Sequence, residues 1–364
     1  MRDEGQLRPQ VLVSGAHLLP DHGLTVGLIE ADGFPIAARL RVDTATDTPA
    51  GVAEAMGRTT GGFGRLFATA PPDLLLVTGD RFEMHAAALA ALPFKIPVAH
   101  LHGGELSQGA FDDALRHSLT KLCHLHFVST DVYARRVAQL GEEPWRITVC
   151  GAPSLDNLRD LRLLSAAELS ARIGLAWTQP PILITFHPVT LEYEQTAAQS
   201  SELLAALEEE PRPMVFTSPN ADPAGSEVRR QMEAFVSRHP HARLADTLGT
   251  QAYFSLMAVA GAMVGNSSSG ILEAPSFGLP VVNVGTRQQG RVRGANVLDV
   301  DCTRAAIQDG LREALTPAFR DRARQAVNPY DRGGAAAIII ERLRTVPLNQ
   351  DLLFKRFQDL PRHD

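Results

Sequence analysis

The chain has 364 residues, enough for two ordinary domains, with 45% hydrophobic and 21% charged residues. A formal net charge of -6 gives no electrostatic reason to expect nucleic-acid binding, and no uninterrupted apolar stretch is long enough to span a bilayer. Residues 1–10 are polar and do not read as a signal peptide, so the expectation is a soluble cytoplasmic protein. Cys123, Cys150 and Cys302 lie far apart beside apolar segments and are expected to be buried thiols rather than a disulfide.

In chain order, residues 11–13 form a short apolar strand ending at Ser14–Gly15, and residues 35–42 alternate as a second strand. Pro20, Gly23 and Gly33 break the stretch between them. Residues 49–69 read as a helix. Residues 74–77 are an apolar run that stops at Thr78–Gly79–Asp80. A buried parallel strand ends this way, delivering a carboxylate at its C-terminal tip. An Ala-rich helix covers 82–92. A strand at 96–100 ends in His102–Gly103–Gly104–Glu105, and Asp112–Asp113 opens a helix running to about Leu122. Strands at 125–128 and 147–150 follow. The first leads through Ser129–Thr130–Asp131, all good caps, into a helix at 132–140. Asp80, Glu105 and Asp112 therefore lie on loops along one side of a sheet, where open α/β folds bind ligands. Three carboxylates and several imidazoles at that edge point to proton-transfer chemistry.

The rhythm changes near residue 160. A Leu-, Arg- and Ala-rich helical connection and a Pro-containing link lead to strands at 182–185, 214–217, 242–245, 262–264 and 281–284. Helices at 196–209, 226–238, 253–260 and 268–277 alternate with them, which implies a parallel sheet covered on both faces. The expected fold is α/β, with two doubly wound, Rossmann-like domains facing a cleft. Their limits are residues 1–158 and 159–345, with a charged C-terminal tail at 346–364. Three strand tips of the second half are polar: Phe186–His187–Pro188, Ser218–Pro219–Asn220 and Gly265–Asn266–Ser267–Ser268–Ser269–Gly270. The last opens a helix, so backbone N–H groups, hydroxyls and the helix dipole suit a phosphate. Glu273 lies about one to one and a half turns into that helix and is placed to accept hydrogen bonds from a ribose diol. Arg287 follows the last strand as a candidate pyrophosphate clamp.

Each feature also has a plainer reading. Asn266–Ser269 makes a polar N-cap, Asp80 a turn, and Glu273 a solvated helix residue. Asp112 with Arg116, and Asp113 with His117, make surface pairs four residues apart. His187 reads as a satisfied strand-end histidine. The run of His85, His100, His102, His117, His124 and His126 invites a metal. However, His100 and His102 are two apart on a strand, and convergence of the set on one ion is not expected. What favours function is that the features all fall at strand C-termini in both halves.

Several of these motifs together resemble the hydrolysing UDP-N-acetylglucosamine 2-epimerases, including those that act on diacetamido sugars. The matching segments of the first half are Gly79–Asp80–Arg81–Phe82–Glu83, His100–Leu101–His102–Gly103–Gly104–Glu105 and Asp112–Asp113–Ala114–Leu115–Arg116–His117. Those of the second are Gly265–Asn266–Ser267–Ser268–Ser269–Gly270 with Glu273–Ala274–Pro275–Ser276, then Gly285–Thr286–Arg287 and Gly290–Arg291–Val292–Arg293–Gly294. The resemblance runs from Val11 over nearly the whole chain. It implies a glycosyltransferase-B-like fold and a UDP-sugar substrate held mainly by the second domain. It also implies hydrolysis of UDP-N-acetylglucosamine to N-acetylmannosamine and UDP through a glycal, with the same reaction on UDP-2,4-diacetamido-2,4,6-trideoxyglucose as the nearest rival. Asp80, Glu105 and Asp112 match the family's acid/base positions. Arg81, His187, Asn220, Ser267, Ser268, Glu273 and Arg287 match nucleotide-binding positions. No cofactor or metal is expected, and a homo-oligomer, dimer or tetramer, is. The rival classes are a retaining glycosyltransferase of similar architecture and a catalytically inactive nucleotide-sugar-binding relative.

One departure carries its own expectation. The family begins with a strand and a Gly–Thr–Arg–Ala–Glu–Tyr–Gly-like loop, whereas residues 1–10 lead straight into what resembles its second strand. In the order 3-2-1-4, strands 11–13 and 74–77 would flank an absent strand, a gap of about 10 Å. The sheet must then close up, admit water or accept a strand from elsewhere. A chain in that state is expected to be poorly soluble or weakly active.

Overall fold

The computed structural model describes residues 5–19, 24–42, 48–220 and 224–359. The chain forms two compact units. The first comprises Met1–Glu105, Asp112–Asp156 and Tyr330–Asp364, and the second Leu106–Phe111 and Asn157–Pro329.

In the first unit, β1 (Val11–Ser14) pairs in parallel with β2 (Ile36–Leu40) as a separate two-stranded sheet. A four-stranded parallel sheet has the order β3 (Leu75–Thr78), β4 (Val98–Leu101), β5 (Leu125–Val128), β6 (Ile147–Val149). Among the described residues no strand pairs β1 with β3, so the two sheets have not closed onto each other. β4 and β5 are buried along their whole length, as a central parallel strand with both faces covered must be. One face packs Val77 and Val98 against Phe63, Phe67, Ala87, Ala91 and Leu119 from three helices. Those helices are Pro49–Thr69, Phe82–Ala91 and Asp112–Leu122. The small alanines let the second of them lie close to the sheet.

The other face is covered from a distance in sequence. Ile339 and Leu343 of the helix Ala335–Thr345 share a core with Ala99, Leu101 and Phe127. The chain thus returns to the first unit at Tyr330, rather than staying in the second to residue 345 as the sequence suggests. An apolar helical stripe shows that a helix is buried but not which sheet buries it. The expected tail is also fastened. Arg146 donates to the carbonyls of Asp351, Leu352 and Phe354 at 3.1, 2.8 and 2.8 Å. Lys355 donates to the carbonyls of Thr120, Lys121 and Cys123, and its Nζ lies 2.8 Å from Glu142.

The second unit holds β7 (Ile182–Thr185), β8 (Met214–Thr217), β9 (Ala242–Ala245), β10 (Ala262–Gly265), β11 (Val281–Val284) and β12 (Val297–Val300). All pair in parallel in the order β12-β11-β10-β7-β8-β9. β12 is a partly exposed edge strand that the sequence reading passed over. Successive residues face opposite cores, with Ile182 and Ile184 on one side and Leu183 on the other. The chain winds outward from β7 to β9, then returns beside β7 to build β10 to β12. The switch point therefore lies between β7 and β10, and doubly wound sheets bind ligands at the strand ends of such a point.

Candidate active site

In the first unit, Asp80 follows Gly79 at the tip of β3. The Gly79 amide donates to the Leu101 carbonyl at 3.0 Å. The Gly79 carbonyl accepts from His100 Nε2 at 2.7 Å. His100 is wholly buried on β4, and burial pushes its pKa down to about 3. The ring is therefore neutral, and because a carbonyl can only accept, the proton sits on Nε2.

Arg116 is 2% exposed, far from the surface partner of Asp112 that the spacing suggested. It donates to Asp80 and, through Nη1, to the His102 carbonyl at 2.8 Å. The same nitrogen lies 4.0 Å from Glu105 Oε2. One guanidinium thus ties two strand tips and two of the expected carboxylates together. Asp113 and His117, by contrast, form the plain pair expected of them, at 3.5 Å. Asp112 is buried in the first turn of its helix, where a carboxylate is favoured by the helix N-terminus. Arg81 precedes the helix Phe82–Ala91, with its Nε 3.7 Å from Glu83.

Glu105 is 1% exposed. Its Oε1 accepts from Ser129 Oγ at 2.9 Å and is 2.8 Å from His102 Nδ1. His102 has φ +66°, a left-handed conformation that costs a non-glycine residue about 1–3 kcal/mol. Gly104 explains part of the motif. At φ +74° its Cβ position would lie 2.5 Å from the Tyr133 carbonyl, so no side chain fits there. His124 and His126 are scaffold, His124 Nδ1 accepting from the Val98 amide at 3.1 Å. His126 faces His100 in register across β4 and β5, and its Nε2 is 3.0 Å from Glu142. Among the described residues no group of three or more His, Cys, Asp or Glu side chains is arranged around a metal position. All three cysteines are free thiols. Arg116, His102 and Ser129 were missed as site residues by the sequence reading. The positions of His102 and Ser129, each directly after a strand, could have flagged two of them.

In the second unit, the switch point is built around Asn266, which is fully buried. Its side chain accepts from the His187 amide at 2.7 Å and donates to the His187 carbonyl at 2.8 Å. The tips of β7 and β10 are thereby locked together. Gly265 is obligatory at this crossing, since at φ +136° a Cβ would fall 1.9 Å from the Thr185 carbonyl. The Asn220 amide donates to His187 Nδ1 at 3.1 Å, which leaves the ring proton on Nε2. Arg287 and Gln288 both donate to the Asn266 carbonyl, at 3.2 and 2.8 Å. Ser267 Oγ lies 2.9 Å from Ser269 Oγ, which in turn accepts from Tyr253 at 3.1 Å. His187, Asn220, Ser267, Ser268 and Arg287 therefore converge on one strand-end region.

The expected long helix behind the serines is not present. Ser269–Leu272 is a single turn, followed by a 3-10 turn at Ala274–Phe277. Pro275 lacks the N–H needed to continue the ladder. Few aligned peptides remain, so the dipole contribution to an anion is small, and hydroxyls and amides must carry it. Glu273 sits half-buried at the junction of the two turns.

The sequence profile of the UDP-N-acetylglucosamine 2-epimerase family matches residues 1–344. The UDP-N,N'-diacetylbacillosamine 2-epimerase (hydrolyzing) of Legionella pneumophila is 37% identical over 346 residues, covering 95% of this chain and 90% of the relative. The GDP/UDP-N,N'-diacetylbacillosamine 2-epimerase (hydrolyzing) of Campylobacter jejuni is 37% identical over 301 residues, covering 82% and 78%. In fold, the chain is similar to the UDP-GlcNAc 2-epimerase of Neisseria meningitidis solved with UDP-GlcNAc bound. The TM-score is 0.78 and the identity 20%, over 94% of this chain and 93% of that one. The α/β architecture expected from the sequence is the one observed, and the chain belongs to the UDP-N-acetylglucosamine 2-epimerase family.

Proposed function

We propose that the protein is a cytoplasmic hydrolysing UDP-sugar 2-epimerase whose substrate is UDP-N,N'-diacetylbacillosamine. The observation that carries this reading is the pair of 37% relatives with that activity in their names, one spanning 95% of the chain. The rival substrate is UDP-N-acetylglucosamine, giving N-acetylmannosamine, as the family description suggests.

The family resemblance implies the chemistry. The proton at C2 of the sugar is removed, and its bonding pair forms the C1–C2 double bond. The C1–O pair leaves with UDP. Water then adds across the glycal, its oxygen to C1 and a proton to the other face of C2, releasing free sugar. Asp80, Glu105 and Asp112 are the acid/base set, because C2–H is weakly acidic and needs a positioned base. His187, Asn220, Ser267, Ser268 and Arg287 bind the diphosphate end, assisted by Arg81. His187 offers an Nε2–H, and Arg287 a charged fork, to the leaving group. Glu273 accepts from the ribose. Assembly as a homo-oligomer is part of the same reading.

Incubating the protein with each UDP-sugar separately, while following UDP and free sugar by NMR, tests the proposal. The expected result is free epimerised diacetamido sugar without any acceptor. Turnover confined to UDP-N-acetylglucosamine would move the substrate to the rival. Sugar transfer only when an acceptor is added would make the protein a glycosyltransferase, and UDP binding without release an inactive relative.

A further inference from the structure

We infer that His102 is the base that takes the C2 proton, with Glu105 acting behind it as the orienting carboxylate. This rests on the 2-epimerase reading above.

The argument begins with access. Of this hydrogen-bonded pair, the Glu105 side chain is 2% exposed and the His102 side chain 17%. Glu105 Oε1 already holds Ser129 Oγ and His102 Nδ1, at 2.9 and 2.8 Å. With Oε1 so occupied, this carboxylate is screened from a sugar carbon by the ring in front of it. The imidazole in front of it can.

The second observation is the ring's orientation. An ionised carboxylate only accepts, so the ring directs an Nδ1–H at Glu105 and turns Nε2 outward. That nitrogen has no protein partner among the described residues. The other buried histidines of this stretch differ. His100 and His126 are fully buried, and each spends Nε2 on an internal acceptor.

The third observation is the backbone. His102 adopts φ +66° although two glycines follow it, residues that would take this conformation without strain. Its amide donates to the Phe127 carbonyl at 2.9 Å, and its carbonyl accepts from Arg116 at 2.8 Å. Strain held this firmly on a polar residue at a strand tip aims a side chain.

The step balances as follows. Nε2 bonds the C2 proton, the C2–H pair becomes the second C1–C2 bond, and the C1–O pair leaves on UDP. The imidazolium lies against Glu105, which stabilises its charge, and later loses the proton to solvent. In hydration, a carboxylic acid on the opposite face protonates C2 as water oxygen bonds C1, and recovers its proton from that water.

Two variants test the inference. His102→Asn tolerates a left-handed backbone and keeps an N–H for Glu105, but has no basic nitrogen. His102→Gly relieves the backbone and leaves room for a free imidazole. Both are expected to fold and to bind UDP as the wild type does, with His102→Gly melting lower because the buried Glu105 loses a partner. Their kcat should fall about 100-fold or more. Added imidazoles should restore turnover in His102→Gly, and rescue should rise with the pKa of the imidazole, which a mere space-filler would not show. Turnover of His102→Asn within a few-fold of wild type overturns the inference. So does rescue that is indifferent to imidazole pKa. If the wild type itself releases no free sugar from either UDP-sugar, the 2-epimerase reading fails first and takes the inference with it.

Discussion

Arg116 and Asp80, 36 residues apart in sequence, meet as a buried guanidinium on a partly exposed carboxylate. The same Arg116 holds the His102 carbonyl and stands 4.0 Å from Glu105. One side chain thus sets the spacing between the tips of β3 and β4, on which the proposed chemistry depends. A lysine at 116 would keep the charge but lose the planar fork that spans these partners. Arg116→Lys is expected to lower turnover at least about 10-fold and stability by about 1–3 kcal/mol. Steady-state kinetics and urea unfolding check both, and wild-type values in each would remove Arg116 from the site.

The carboxylates give a direct test of the acid/base assignment. Asp80→Asn, Glu105→Gln and Asp112→Asn should each reduce turnover by a factor on the order of 100, as loss of a general acid, base or its orienting partner does. UDP affinity, read by calorimetry, should survive. Turnover near the wild type in all three would show that these groups do not move protons.

For the nucleotide, Glu273→Ala and the double change Ser267→Ala with Ser268→Ala should each weaken UDP binding, by about 1–3 kcal/mol for every charge-assisted hydrogen bond removed. The loss of Ser267 also removes one hydroxyl partner of Ser269, whose bond from Tyr253 remains. Unchanged calorimetric affinity in both variants would place UDP elsewhere.

Acid should destabilise the fold in two stages. His100, His124 and His126 all have pKa values lowered by burial, so they gain protons only on unfolding. Their stabilisation is complete above about pH 6.5 and declines below it, for His100 on the order of 1 kcal/mol per pH unit. Burial acts to raise Glu142, but His126, Lys121 and Lys355 outweigh it and hold the pKa at about 2. Its contribution is present above about pH 4.5 and fades from there toward pH 2. Urea midpoints should therefore fall between pH 7 and pH 5, and less steeply in His100→Gln. A midpoint flat over that range would contradict the buried neutral histidines.

Lys355 lies in a segment that sequence alone marks as a surface tail or peripheral helix. It closes the C-terminal end of the helix Asp112–Leu122 and pairs with the buried Glu142. Lys355→Met should cost about 3 kcal/mol, since a buried carboxylate loses a partner and the helix end loses a donor. Chemical denaturation measures it, and a loss below about 0.5 kcal/mol would return the segment to the surface.

The sequence by itself determined the elements and their edges. Apolar runs that end in Gly–Asp, His–Gly–Gly–Glu or Gly–Asn–Ser read as buried parallel strands with polar tips, because strand burial and turn chemistry are local. β12 escaped because a partly exposed edge strand carries a weak apolar signal. The helix expected after Ser268 is cut to single turns because Pro275 breaks the backbone ladder, a local signal present in the sequence. What only the tertiary structure decided is which side chains meet. The pairing of Arg116 with Asp80, Ser129 with Glu105, and Asn266 bridging to His187 all join residues from different elements. The helix Ala335–Thr345 returning to the first unit is a long-range choice of the same kind. Spacing along a chain fixes a residue's face on its own element. Which other element that face meets is set by packing between segments far apart in sequence.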